Sequence, residues 1–302
     1  VPYSSAYLVC YGFFGGVDDL GFTYSQNLAR AWADEALGTI SLYAENVFFL
    51  SADAQKAVMD GFINRACDLI ITGSDTLSDL TYRYAQQYPN TKFVCVAGTQ
   101  SLRNLGGAYV RSYQGSYIAG MVAARQPGVS KIGYVGSIFS PDSIRNINGF
   151  ALGMRAVNSS AHLYVMHVGS WFDPRAERIA GLRLFDQSVD LVAYDSDSTE
   201  LVKLAKEQGK YSIAIKSDGT ALHGESNLMS VIYVWNTIFV DVISAAMNST
   251  DWPSGKDRNR FVGIEKEGVS TGTYSSFVPA GTRLRAKEVF GKFRNGEDTV
   301  FC

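Results

Sequence analysis

Asp68-Leu69-Ile70-Ile71-Thr72 carries the decisive pattern of the chain. The run is apolar at its centre and shows no polar alternation. A strand of that kind is covered on both faces, as in a parallel sheet sandwiched between helices. Working outward, Ala52–Ala66 precedes it with apolar Ala57, Val58, Phe62 and Ala66 at helical spacing. Leu80–Tyr88 follows as a helix stopped by Pro89, and Lys92–Ala97 is the next strand. Upstream, Ala6–Tyr11 reads as a strand that runs into the glycine-rich loop Gly12–Gly21. Thr23–Leu37 reads as a helix whose apolar stripe is Leu28, Ala31, Trp32 and Ala36, and Ser41–Leu50 reads as a strand.

The same alternation restarts after Gly128. Strands are expected at Lys131–Val135, Ala161–Val168, Leu191–Tyr194 and Tyr211–Lys216, with helices at Ser143–Val157, Arg175–Gln187 and Ser198–Gln208. Repeated βα units with right-handed crossovers imply two successive parallel sheets. The fold class is therefore α/β, with two Rossmann-like lobes. The tail breaks the rhythm: Leu228–Val234 and Arg260–Glu265 read as strands, Thr237–Met247 and Pro279–Gly296 as helices. One βα unit added to each lobe makes a three-crossing hinge. The expected lobes are 1–128 plus 235–260 and 129–234 plus 261–302.

Composition narrows the function. The chain has 302 residues, with 27 Lys+Arg against 29 Asp+Glu, and this near balance argues against nucleic acid as a partner. No apolar stretch approaches the length of a membrane span. Aromatic residues reach 13% beside 29 glycines, which suits either a Tyr-rich core or a pocket that stacks flat ligands. Cys10, Cys67, Cys95 and Cys302 show no metal spacing. Cys10 and Cys95 sit in apolar runs, where free Cys behaves as a small hydrophobe. Asn158-Ser159-Ser160 and Asn248-Ser249-Thr250 are sequons, of consequence only in a secreted eukaryotic protein. No signal peptide is visible, and a start at Val1 fits processing or trimming.

In open α/β sheets, ligands sit beyond the carboxyl ends of the strands. Those positions carry Asp18, Asp19 and Phe22; Ser74 and Asp75; Trp171, Phe172 and Asp173; Asp195 and Asp197; and Lys216 and Asp218. Rings with adjacent carboxylates suit a flat polar molecule. Asp and Ser after strands are also turn and cap residues. Catalytic patterns are absent: His162, His167 and His223 lack metal spacing, and there is no nucleophile elbow or phosphate-binding lysine motif. No cofactor and no metal is expected.

Several stretches resemble the basic membrane protein family of type I periplasmic-binding-protein-like receptors, which includes purine nucleoside receptors. They are Asp18-Asp19-Leu20-Gly21-Phe22, Asp68–Thr72 with Tyr88-Pro89-Asn90-Thr91-Lys92-Phe93, and Gly115-Ser116-Tyr117-Ile118-Ala119-Gly120. Lys131–Gly136 and Asn148-Gly149-Phe150-Ala151-Leu152-Gly153 belong with them. The stretches Ser170–Pro174, Ser196-Asp197-Ser198 and Tyr233-Val234-Trp235 are similar to the adenine- or nucleobase-binding branch. By that likeness Phe22 and Trp171 would stack on the two faces of a purine, and Asp19, Ser74 and Asp197 would fall at polar positions. The nucleoside receptors carry an acid where this chain has Lys216 and a lysine where it has Tyr233, which favours a bare nucleobase or another small aromatic ring over a nucleoside. The ligand-binding set implied is Asp19, Phe22, Ser74, Trp171, Phe172, Asp173, Asp197, Lys216, Asp218, Tyr233 and Trp235.

The resemblance implies an extracytoplasmic solute-binding protein, not an enzyme, that captures a purine-like ligand between two closing lobes and delivers it to an ABC transporter permease. The full-length form could be membrane-anchored. A ligand-sensing receptor ectodomain is the alternative. A purine-processing enzyme using Asp18, Asp19 or Asp218 ranks below both.

Overall fold

The computed structural model describes residues 6–220, 224–248, 252 and 259–301. Cys302, His223, the last two residues of the sequon at Asn248, and 253–258 of the expected first lobe lie outside the described residues. The described chain divides into two compact units. One holds Asp19 and the residues before it, Thr23–Val110 and Val234–Val262; the other holds Leu20–Phe22, Arg111–Tyr233 and the residues from Gly263 onward.

The first unit is built on a sheet of order β11-β5-β4-β3-β1-β2. Its strands are β1 (Leu8–Gly12), β2 (Ile40–Ala44), β3 (Leu69–Thr72), β4 (Lys92–Val96), β5 (Leu105–Val110) and β11 (Asn259–Val262), all paired in parallel. β3 is buried along its whole length, as its unbroken apolar run requires. β5 was not legible, because Gly106 and Gly107 interrupt it. A Cβ on Gly107 would lie 2.2 Å from the Gly98 carbonyl oxygen, so close approach of that turn demands glycine there.

The strand expected over Ser41–Leu50 stops at Ala44. Asn46 takes a left-handed φ of 57°, and Val47–Phe49 coils into a single 3-10 turn. Helix Phe22–Leu37 also turns a different face inward than its apolar stripe implied. Leu28 and Trp32 are exposed; Ser25, Gln26, Ala29 and Ala33 are buried. Both polar members make a hydrogen bond there. Gln26 Nε2 donates to the Gly73 carbonyl at 3.0 Å, and Ser25 Oγ accepts from Trp235 Nε1 at 3.2 Å. A hydrogen-bonded polar face thus replaces the apolar one.

The second unit repeats the plan with order β12-β10-β9-β8-β6-β7. Here β6 is Ile132–Gly136, β7 Leu163–His167, β8 Leu191–Tyr194, β9 Tyr211–Lys216, β10 Asn227–Tyr233 and β12 Val269–Thr271. Among the described strands of this sheet only the β10–β12 pair is antiparallel. In both sheets the strand order reverses beside the first strand of the unit, at β1/β3 and at β6/β8.

Residues 111–128, read from sequence with the first lobe, lie in the second unit. The cause is helix packing. Tyr113–Ala124 crosses Pro141–Val157 at backbone distance: a Cβ on Gly120 would sit 2.0 Å from the Phe150 carbonyl oxygen, and one on Gly153 would sit 1.9 Å from that of Tyr117. These glycines belong to two of the family-like stretches, and their chemistry is packing. Gly153→Ala is expected to destabilise the second unit by about 3 kcal/mol, since backbone cannot yield as a flexible side chain can. Urea denaturation followed by circular dichroism measures it, and an unchanged midpoint would refute the close crossing.

Candidate functional site

Strand ends in the second unit gather the chemistry. Asp195–Ser198 follows β8, and Lys216 closes β9 with its backbone at φ 101°, a region that favours glycine. Lys216 is 2% exposed, and its Nζ donates to Asp197 Oδ1 at 2.5 Å. Trp171 lies on the loop after β7. The Asp197 N–H donates to the Trp171 carbonyl at 2.8 Å, which ties the two loops together. Gly169, at φ 78°, provides the turn into that loop.

The segment Leu20–Phe22 lies against the same place. The Ser217 hydroxyl donates to the Leu20 carbonyl. A Cβ on Gly21 would meet the Asp197 carbonyl oxygen at 2.9 Å, so only glycine lets the segment lie this close. The result is an ammonium flanked by two rings, with Lys216 Nζ 4.8 Å from the Trp171 centroid and 5.6 Å from that of Phe22. Tyr233 stands edge-on to Phe22 at 6.2 Å and accepts from Asn146 Nδ2 at 3.3 Å, so it backs the ring from a buried position.

Below this cluster lies Glu177, fully buried, whose carboxylate accepts from the Ser198 hydroxyl and from the Asp173 N–H at 3.3 Å. Burial pushes its carboxyl up, against the opposing pull of the Ser198 and Ser196 hydroxyls, the Asp173 N–H and the Lys216 charge. A carboxyl raised on folding adds stability that is full below the ordinary Glu range and is lost as pH rises through the folded value. Glu177→Gln is therefore expected to flatten the decline of unfolding free energy as pH rises above the ordinary Glu range, relative to the parent protein. Equal slopes in urea titrations above that range would count against it.

The other residues singled out in the sequence have local partners. Asp19 accepts from the Thr23 and Tyr24 N–H groups at 3.0 and 2.8 Å. Ser74 caps the turn Asp75–Leu77 through the Thr76 N–H, and Asp173 caps helix Pro174–Asp186 through the Ala176 N–H. Asp218 accepts from the N–H groups of Thr220 and Thr273. Phe172 is exposed. Trp235 is fully buried in the first unit, packed on Tyr109 and Phe239, which is a core position. Phe22, Trp171, Asp197, Lys216 and Tyr233 are thus the members brought together in the second unit. Glu177 was missed. The signal for Glu177 was available in Asp173-Pro174-Arg175-Ala176-Glu177, a cap followed by an acid that reaches back to it.

Cysteine placement also departs from expectation. Cys10, read as a free hydrophobe, is joined to Cys67 by a buried disulfide with Cα atoms 6.0 Å apart. Parallel pairing of β1 with β3 places Cys10 opposite Ile70, and Cys67 lies two residues before the start of β3. Cys95 is free and buried.

Compared with known proteins, residues 8–281 match the family described as ABC transporter substrate-binding protein, PnrA-like. A purine-binding protein of Brucella abortus is 31% identical over 292 residues, which is 96% of this chain and 81% of that protein. A Haloferax volcanii protein named for ABC transporter glucose binding is 30% identical over 224 residues, 74% of this chain and 56% of that protein. An ABC transporter solute-binding protein from Conexibacter woesei has the same fold, with a TM-score of 0.77 at 20% identity over 97% of this chain and 98% of that one.

Proposed function

This chain belongs to the PnrA-like family of ABC transporter substrate-binding proteins, and from that premise we propose that it captures a purine nucleobase for delivery to a membrane permease. It is a binding protein and not an enzyme. The observation that carries the ligand assignment is the convergence of the Phe22 and Trp171 rings on the Lys216–Asp197 pair. Two rings offer stacking surface to a flat heterocycle, and the charged pair offers a donor and an acceptor to its edge. The purine-binding relative supports the same ligand class.

An extracytoplasmic site of action fits the buried Cys10–Cys67 disulfide, since such bonds persist in oxidising compartments. Among the described residues no helix is long and apolar enough to cross a membrane.

Mass spectrometry of the small molecules released on denaturing the purified protein tests the reading, together with calorimetry against adenine, hypoxanthine and glucose. A released purine and saturable purine binding are expected. Glucose binding without purine binding would overturn the assignment.

A further inference from the structure

Lys216 is a buried cation whose hydrogen-bonding capacity is not used up. Its side chain is 3% exposed, and an ammonium carries three N–H donors. Among the described residues one acceptor meets them, Asp197 Oδ1 at 2.5 Å. The Trp171 and Phe22 rings face the charge but accept no conventional hydrogen bond from it. Two N–H groups therefore remain in a site from which water is largely excluded, a condition that a bound acceptor relieves. The residue is also held at φ 101°, a backbone conformation that side chains rarely adopt and that collects at functional positions. Several contacts fix this arrangement. Asp197 pins the ammonium, Gly21 packs on the Asp197 backbone, and the Asp197 N–H holds the Trp171 loop.

The chemistry of the missing partner follows from lone-pair geometry. An oxopurine edge presents the carbonyl oxygen and the neighbouring ring nitrogen N7 as two adjacent acceptors, one for each remaining N–H group. An aminopurine presents N7 alone as acceptor on that edge and leaves the second N–H unmet. An exocyclic amino group is a donor and opposes the ammonium. We propose that Lys216 sets the ligand class, its two remaining N–H groups selecting the carbonyl oxygen of an oxopurine over the amino edge of an aminopurine. This rests on the purine reading above and reverses the adenine-like choice that the sequence resemblance implied.

Hypoxanthine and adenine differ only at that edge and are the probes. The full chain is unfolded in denaturant, freed of small molecules, refolded and titrated with each by calorimetry. The parent protein is expected to bind hypoxanthine at least tenfold more tightly than adenine. Lys216→Met, which keeps the stem and removes the donors, is expected to weaken hypoxanthine at least tenfold, change adenine less than threefold, and so erase the preference. Because this variant leaves Asp197 buried without its cation, Lys216→Met with Asp197→Asn serves as the second variant, and it too must lose the preference. Equal or tighter adenine binding by the parent protein, or a preference that survives both substitutions, would overturn the role of Lys216 while leaving the purine reading intact. Binding of neither purine by the parent protein would overturn the purine reading itself, and the ligand class with it.

Discussion

Trp171→Ala is expected to weaken purine binding by one to two orders of magnitude while the protein stays folded. Stacking on a base contributes about 1–3 kcal/mol by alanine substitution, which is roughly 5- to 150-fold. The same change removes the nearer of the two rings that flank the Lys216 ammonium, at 4.8 Å, and with it a contact that helps hold the ammonium in place. Folding survives because Trp171 lies on a loop and is only half-buried, and the loop keeps its tie through the Asp197 N–H to a backbone carbonyl that alanine retains. Trp235→Ala is the informative contrast. That indole is fully buried against Tyr109 and Phe239, so its truncation costs about 3–5 kcal/mol of stability. Calorimetry with the probe that the parent protein binds best, beside a thermal melt, separates the two effects. Unchanged affinity in Trp171→Ala would remove the ring cluster from the ligand site.

Much of the architecture was readable because burial leaves a trace in residue type. β3 and β8 are buried on both faces and lack alternation, so their runs announced parallel sheets. The trace failed where backbone proximity decides. β5 carries Gly106 and Gly107, residues that punctuate strands, and the approach of Gly98 explains the second of them. Helix Phe22–Leu37 misled in the opposite way, since its buried face uses Gln26 and Ser25 as hydrogen-bonding groups and leaves Leu28 and Trp32 outside.

The site was harder to read for a related reason. Capping and ligand recognition draw on the same side chains at the same strand ends. Asp19, Ser74, Asp173 and Asp218 cap or brace their own loops, whereas Asp197 pairs with Lys216. Nothing in the local sequence separates those two fates. The cysteines show the limit most plainly, because the partners are 57 positions apart in sequence and only strand pairing brings them together.

Replacing Cys10 and Cys67 together by alanine is expected to lower the stability of the first unit by about 4 kcal/mol, the loop-closure value for a crosslink spanning 57 residues. Packing is a second contribution. Both sulfurs sit in the core cluster with Ile70, Phe62 and Phe93, so the two alanines leave unfilled volume that the strands cannot close. A loss of that size corresponds to a melting shift on the order of 10 °C for a unit of this length. Calorimetric melts of the double variant, and of the parent protein refolded with and without reductant, measure it. Reduction after folding is expected to act slowly, since neither sulfur is open to an attacking thiolate until the unit opens. The ligand cluster lies wholly in the second unit, so the variant should still bind the parent's preferred purine below its lowered melting temperature. A melt that does not move on removal of both cysteines would mean that the bond does not form in solution, and the argument from it for an oxidising compartment would fall as well.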